Sequence, residues 1–242
     1  IKGSLGFMLL LFIAGYVLIN PIWNINGVRM WTAAQIFLYG SLVYLLEDKK
    51  GKGLMILSSS ILVHFSFMFP VALFITFVFL PLNVWLFFVF FIVASFINEL
   101  NIKAVREALS FLPDIFQPKI ESYTNEQYIQ NVFQHQSLVS WHVRFADLAG
   151  RIIIYLWVFV VFTNRRKWLR DTEMLKLFCF GLFLGGFAKV ASLLPSGGRF
   201  GVISNSVLYA VFILFLAENQ SEGLKNVLKL ISIPLLLLLL LF

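Results

Sequence analysis

Long apolar runs broken by short polar or Pro/Gly stretches dominate this chain: 4–20, 30–46, 54–69, 70–82, 83–97, 152–164, 177–194, 201–217 and a partial run from 230. The runs are continuous, without the residue-by-residue alternation of barrel strands, so they predict helices. Several approach the ~20 apolar residues that carry a helix across a bilayer. Pro70 and Pro81 punctuate 54–97, which is too long for one helix and divides into three shorter passes. Segment 70–82 is short for a crossing and fits a tilted or re-entrant pass. The pattern predicts an all-α integral membrane protein, a polytopic helical bundle of about 8–9 spans forming one domain over 1–242.

Basic residues orient the expected bundle. Loop 47–53 holds Lys49, Lys50 and Lys52; loop 164–176 holds Arg165, Arg166, Lys167, Arg170 and Lys176; loop 218–229 holds Lys225 and Lys229. Alternating passes put these loops on one side with Lys2, and that side is cytoplasmic by the positive-inside rule. The other side receives 20–29, the turn 195–200 and the one sizeable polar stretch, 98–151. This stretch is expected to be partly helical and periplasmic, with Ile102, Val105, Leu109 and Leu112 on one helical face and "TNEQ" at 124–127 resembling a capping box. The chain begins at Ile1 and stops within an apolar run, which reads as a fragment of a longer protein.

Composition agrees with the pattern: 60% of residues are hydrophobic and 13% charged, with a mean hydropathy of +0.89. A soluble domain carries about 25% charged residues. The net charge of +7 fits basic loops; no basic soluble domain exists to bind nucleic acid. The single cysteine, Cys179, permits no disulfide within the chain. Paired Cys/His metal spacing, a nucleotide phosphate loop and a Gly-x-Ser-x-Gly nucleophile are all missing from the sequence.

The informative residues are ionisable groups in or beside the apolar runs, where a central charge costs about 2.5–3.5 kcal/mol. On the outer side these are Arg29, His64, Lys189, Arg199 and the ladder Arg144–Asp147–Arg151. Nearly all are cations. Such a set suits a phosphate or diphosphate, because a guanidinium grips phosphate oxygens with two parallel hydrogen bonds. His64 is the group able to act as a base near neutral pH, and neighbouring cations disfavour its protonated form. Structural roles compete: Arg29 and Lys189 as snorkelling anchors, His64 as a packing residue bonded to a carbonyl or to Ser60, the ladder as a salt-bridged face, and "GLFLGG" at 181–186 as a close helix contact. Trp23, Trp31, Trp141 and Trp168 fit an interfacial belt.

"NINGVRMWTAAQIFLYG", a lysine-rich turn and "ILVHFSFMFP" together resemble the EpsG-like branch of Wzy-type polysaccharide polymerases. The elements that carry the resemblance are Arg29 before Ala33–Ala34, the ten residues between Arg29 and Gly40, the step His64-Phe65-Ser66, and Arg199 in "SGGRF". The spacing from Arg199 reaches Ala210 rather than glycine, so the second copy is imperfect. The resemblance implies a bacterial inner-membrane enzyme that joins undecaprenyl-diphosphate-linked oligosaccharide repeat units at the periplasmic face. It implies metal-independent glycosyl transfer without a cofactor, and a chain-length regulator as a possible partner. Arg29, Arg199, Lys189 and Arg144 would hold the diphosphate, with Arg29 and His64 catalytic and 98–151 a lid. An O-antigen ligase shares the donor and differs in acceptor. A membrane acyltransferase fits less well, since position 40 is Gly, and a flippase or transporter would favour inverted repeats.

Overall fold

The structure is a computed structural model that describes residues 27–97, 141–168, 172–194 and 197–218, with scattered positions between 104 and 121. The expected runs at 4–20 and from 230, the "TNEQ" cap and most of 98–151 lie outside the described residues. The described elements are helical: α1 (Val28–Leu46), α2 (Lys50–Val63), α3 (Met68–Phe79), α4 (Val84–Ala94), α5 (Trp141–Thr163), α6 (Thr172–Ala191) and α7 (Gly198–Glu218). A 3-10 turn, Phe65–Phe67, precedes α3, and a single turn, Arg165–Trp168, follows α5.

The fold class is all-α, but the expected span count is corrected. Among the described residues two helices, α6 and α7, are long and apolar enough to cross a membrane. The others fail for distinct reasons. The apolar stretch Phe65–Phe79 contains a 3-10 turn, and α4 has 11 residues. At 1.5 Å per residue, α4 covers about 16 Å of a ~30 Å hydrocarbon core. For α5, with 23 residues, the apolar stretch among the residues whose side chains are described is Gly150–Thr163. α1 is diluted by Arg29, Thr32, Gln35 and Ser41, and α2 by Lys50, Lys52 and three consecutive serines.

The break between α2 and α3 also differs from expectation. Pro70 does not divide the run; it lies in the first turn of α3, where a missing N–H leaves no helical bond unmade. The chain turns at His64, whose backbone is extended (φ −147°, ψ 113°). Pro81 does mark a break, and Asn83 then caps α4 by accepting from the N–H groups of Trp85 and Leu86.

Successive helices reverse direction. α1 and α2 form a hairpin whose turn has Asp48 at φ 52°, a left-handed conformation that Asp tolerates. Two glycines let these helices touch. A Cβ on Gly40 would come within 2.8 Å of the Leu57 Cα, and one on Gly53 within 2.6 Å of the Tyr44 N. The two pairs are one turn apart on each helix and run in opposite senses, as an antiparallel hairpin requires. α6 and α7 pair similarly: Gly181 faces Leu208, and Gly185 faces Ser204 and Phe91. The "GLFLGG" segment is thus a close-packing surface, and Ser204 Oγ donates across it to the Gly181 carbonyl at 3.3 Å.

Phenylalanines fill the core. Phe180 of α6 meets Phe37 of α1 and Phe74 and Phe77 of α3 at 5.0–6.3 Å between ring centroids. Phe183 continues the stack to Phe77 and Phe87. Trp157 of α5 lies on Phe212 of α7 at 4.1 Å with the rings 10° apart. Outward faces are apolar too: Leu148, Ile152, Leu156 and Phe159 form an exposed stripe on α5, and Trp85, Val89, Val93 and Phe96 one along α4.

Candidate functional site

One end of the bundle gathers the N-termini of α1 and α7 and the entry to α3. Gly197 makes the turn into α7. A Cβ there would collide with the Ala191 carbonyl, and the Gly197 N–H donates to the Leu194 carbonyl at 3.0 Å. This turn delivers Arg199, whose Nη1 lies 3.9 Å from Met30 Sδ. Met30 follows Arg29, so two guanidinium-bearing residues of "NGVRM" and "SGGRF" stand at one corner. Both are exposed. Phe200, the next residue, packs on Phe69 of α3 with centroids 5.1 Å apart. This contact ties the α7 N-terminus to the segment holding His64.

His64 and Ser66 form a pair. Ser66 Oγ lies 2.7 Å from His64 Nδ1, and the Ser66 backbone N–H donates to the same nitrogen at 3.3 Å. A backbone N–H only donates, so Nδ1 accepts, and the serine hydroxyl donates to it as well. The neutral ring then carries its proton on Nε2. Both residues are half-buried. Ser60 is not the partner: its hydroxyl donates to the Leu57 carbonyl at 2.6 Å. Continuing the α1–α2 register upward from Gly53 puts residue 64 opposite Ala33, about 6 Å along the axis from Arg29.

Among the described residues the charges gathered at this end are positive. α1, α3 and α7 have no acidic residue in their first turns. The N-terminal half-charges of α1 and α7 therefore add to the two guanidinium groups.

The remaining expected residues are placed elsewhere. Lys189 is half-buried, with Nζ 5.4 Å from the centre of the Tyr155 ring, a cation–π contact with α5. It faces Tyr155 and not the Arg199–Met30 corner. Arg144 is exposed on α5, three turns before Tyr155 and so about 16 Å further along the axis. Asp147 is helical, but its side chain lies outside the described residues. Gly40, three turns below Arg29, is buried against Leu57 and plays the part of a helix contact. Among the described residues, no three of His, Cys, Asp and Glu come together as a metal site.

Sequence reasoning missed Met30, Phe69 and Phe200, which join the three elements; their spacing gives no sign of it. The Ser66 partnership had a local signal, a serine two residues past a histidine where the helical run turns. No family model, curated protein or solved structure matches the chain.

Proposed function

We propose that this protein is a membrane glycosyltransferase of the Wzy type, which polymerises oligosaccharide repeat units carried on undecaprenyl diphosphate. The observation that carries the reading is the corner where Arg199 meets Met30 beside Arg29, with His64 and Ser66 at the adjoining entry to α3. Two forked cations and two helix N-termini suit a diphosphate, whose charge grows as it leaves. The apolar stripes on α4 and α5, together with α6 and α7, support a bilayer setting. In this reading the protein sits in the bacterial inner membrane with the Arg29–Arg199 end toward the periplasm. The loops 47–53 and 164–176 support that orientation: they are rich in lysine and arginine, and Lys50 and Lys176 line one cavity at the other end.

The chemistry follows from the dyad. An acceptor sugar hydroxyl attacks the anomeric carbon of the donor glycan, and the bond from that carbon to the diphosphate breaks. The lone pair of His64 Nδ1 is already engaged by Ser66. The acceptor therefore passes its proton to Ser66 Oγ as Ser66 passes its own to Nδ1. Arg29 and Arg199 hold the departing diphosphate. Arg144, exposed in the first turn of α5, would contact the glycan rather than this diphosphate, and Lys189 steadies α5 against α6.

The test is complementation of a polymerase-null host with the full-length gene. Wild type should restore a glycan ladder, Arg29→Ala should give single-repeat glycan with normal protein in the membrane, and Lys52→Gln should behave as wild type. Polymer stranded on its lipid carrier after deletion in the native strain points to a ligase instead. An unaltered ladder in Arg29→Ala overturns the reading.

A further inference from the structure

The opposite end of the bundle has a cavity of about 190 Å³, where α3 stops and the 80–83 link begins. Phe77, Val78, Leu80 and Leu82 form its apolar wall, and Lys50 of α2 and Lys176 of α6 line it from separate helices. Two ammonium groups on one small cavity repel, more strongly beside apolar walls than in open water. Lys50 is partly compensated by Asp48, 3.6 Å from its Nζ, in an exposed pair. Lys176 is half-buried, and among the described residues no carboxylate lies within ion-pair distance of it. Among the described residues the cavity is left with excess positive charge.

Its wall narrows the choice of anion. Val78, Leu80 and Leu82 stay exposed where they leave the cavity, and the neighbouring Phe79 is 83% exposed. A small soluble anion would leave this apolar surface in water, whereas an amphiphile covers it. We infer that the cavity binds the anionic headgroup of a phospholipid, with its phosphate between Lys50 and Lys176 and its acyl chains along Val78, Leu80 and Leu82. A lysine binds phosphate as a point charge, without the directional fork of arginine, which suits a headgroup of variable pose. The inference rests on the membrane setting of the proposed function and not on glycosyl transfer.

The test is native mass spectrometry of the full-length protein in detergent, titrated with phosphatidylglycerol, phosphatidylcholine or inorganic phosphate. Phosphatidylglycerol should bind in preference to phosphatidylcholine, which bears the same phosphate without net charge. Millimolar inorganic phosphate should not displace it. A lysine near an anionic surface contributes about fivefold, so Lys50→Gln with Lys176→Gln should weaken binding about 25-fold. Lys52→Gln, in the same first turn of α2 but outside the cavity lining, should change it less than about twofold. Equal binding of the two lipids, displacement by inorganic phosphate, or an equal loss in Lys52→Gln overturns the assignment. Should the double variant not fold, the comparison of the two lipids on wild type decides. No glycan is present in this assay, so its failure is distinct from a failure of the polymerase reading; membrane fractionation, scored separately, tests the setting both share.

Discussion

Gly40→Ala separates two roles for a glycine that follows Arg29 at a suggestive spacing. The added Cβ would lie 2.8 Å from both Cα and Cβ of Leu57 and press on its backbone nitrogen. Comfortable carbon–carbon contact is about 3.5–4.0 Å, so α1 and α2 must part by about 1 Å. The obstacle is backbone, so no side-chain rotation relieves it. A gap of that size forfeits up to about half of each dispersion contact along the seam. Overpacking of this kind costs about 1–3 kcal/mol, and for a chain of this length the midpoint of thermal unfolding should fall by about 2–12 °C. The assay is thermal unfolding of detergent-purified protein followed by size-exclusion fluorescence. Gly150→Ala is the paired control: nothing lies within 4 Å of its added Cβ. Replacing a helical glycine there should stabilise by up to about 1 kcal/mol. An unchanged or raised midpoint in Gly40→Ala would refute the close crossing. Loss of activity at an unchanged midpoint would return Gly40 to the substrate site.

Three further outcomes are expected. His64→Ala should reduce polymer yield more than Ser66→Ala, because removing the hydroxyl exposes Nδ1 to the acceptor directly; equal, near-normal yields would remove the dyad from the mechanism. Trp157→Ala deletes a side chain that is 2% exposed and stacked on Phe212, and should cost about 3–5 kcal/mol, read as loss of monodisperse protein. In the α1–α2 turn, a hydrogen bond and the charge of Lys49 hold the Glu47 carboxyl below the usual carboxylate range, at a distance of 2.7 Å. A lowered folded-state pKa contributes stability above the unfolded value and loses it as pH falls through the folded one, so Lys49→Gln should move the Glu47 titration upward, as seen by carbon-13 NMR. For so exposed a pair the effect on overall stability should be near zero.

The helical class was legible because the apolar runs are continuous, and the helix boundaries near 30–46 and 83 follow from the same pattern, whereas the run expected at 177–194 is the helix Thr172–Ala191, shifted toward the N-terminus. Length was the weaker inference. A run of apolar residues does not reveal where its helix ends, and His64 turns the chain where Pro70 was expected to. Proline at the third position of α3 costs no hydrogen bond, so its sequence signal was ambiguous. Arg29 and Arg199 were legible as cations at the mouths of apolar runs, and the structure brings Arg199 to the residue beside Arg29. Lys189 was not legible in the same way. Its partner is the Tyr155 ring on α5, a contact between residues 34 positions apart that no local spacing encodes. The close fit of Gly181 and Gly185 was readable, since small residues one turn apart are the usual device for bringing helices together.

The central claim is that the Arg29–Arg199 corner holds the diphosphate of a lipid-linked glycan during transfer. The most direct measurement is product length from purified full-length protein given its lipid-linked repeat unit, comparing wild type with Arg199→Ala at matched folding. The account predicts a ladder of extended glycans for wild type and unreacted single repeats for the variant. Ladders of equal length and rate from both proteins would contradict it.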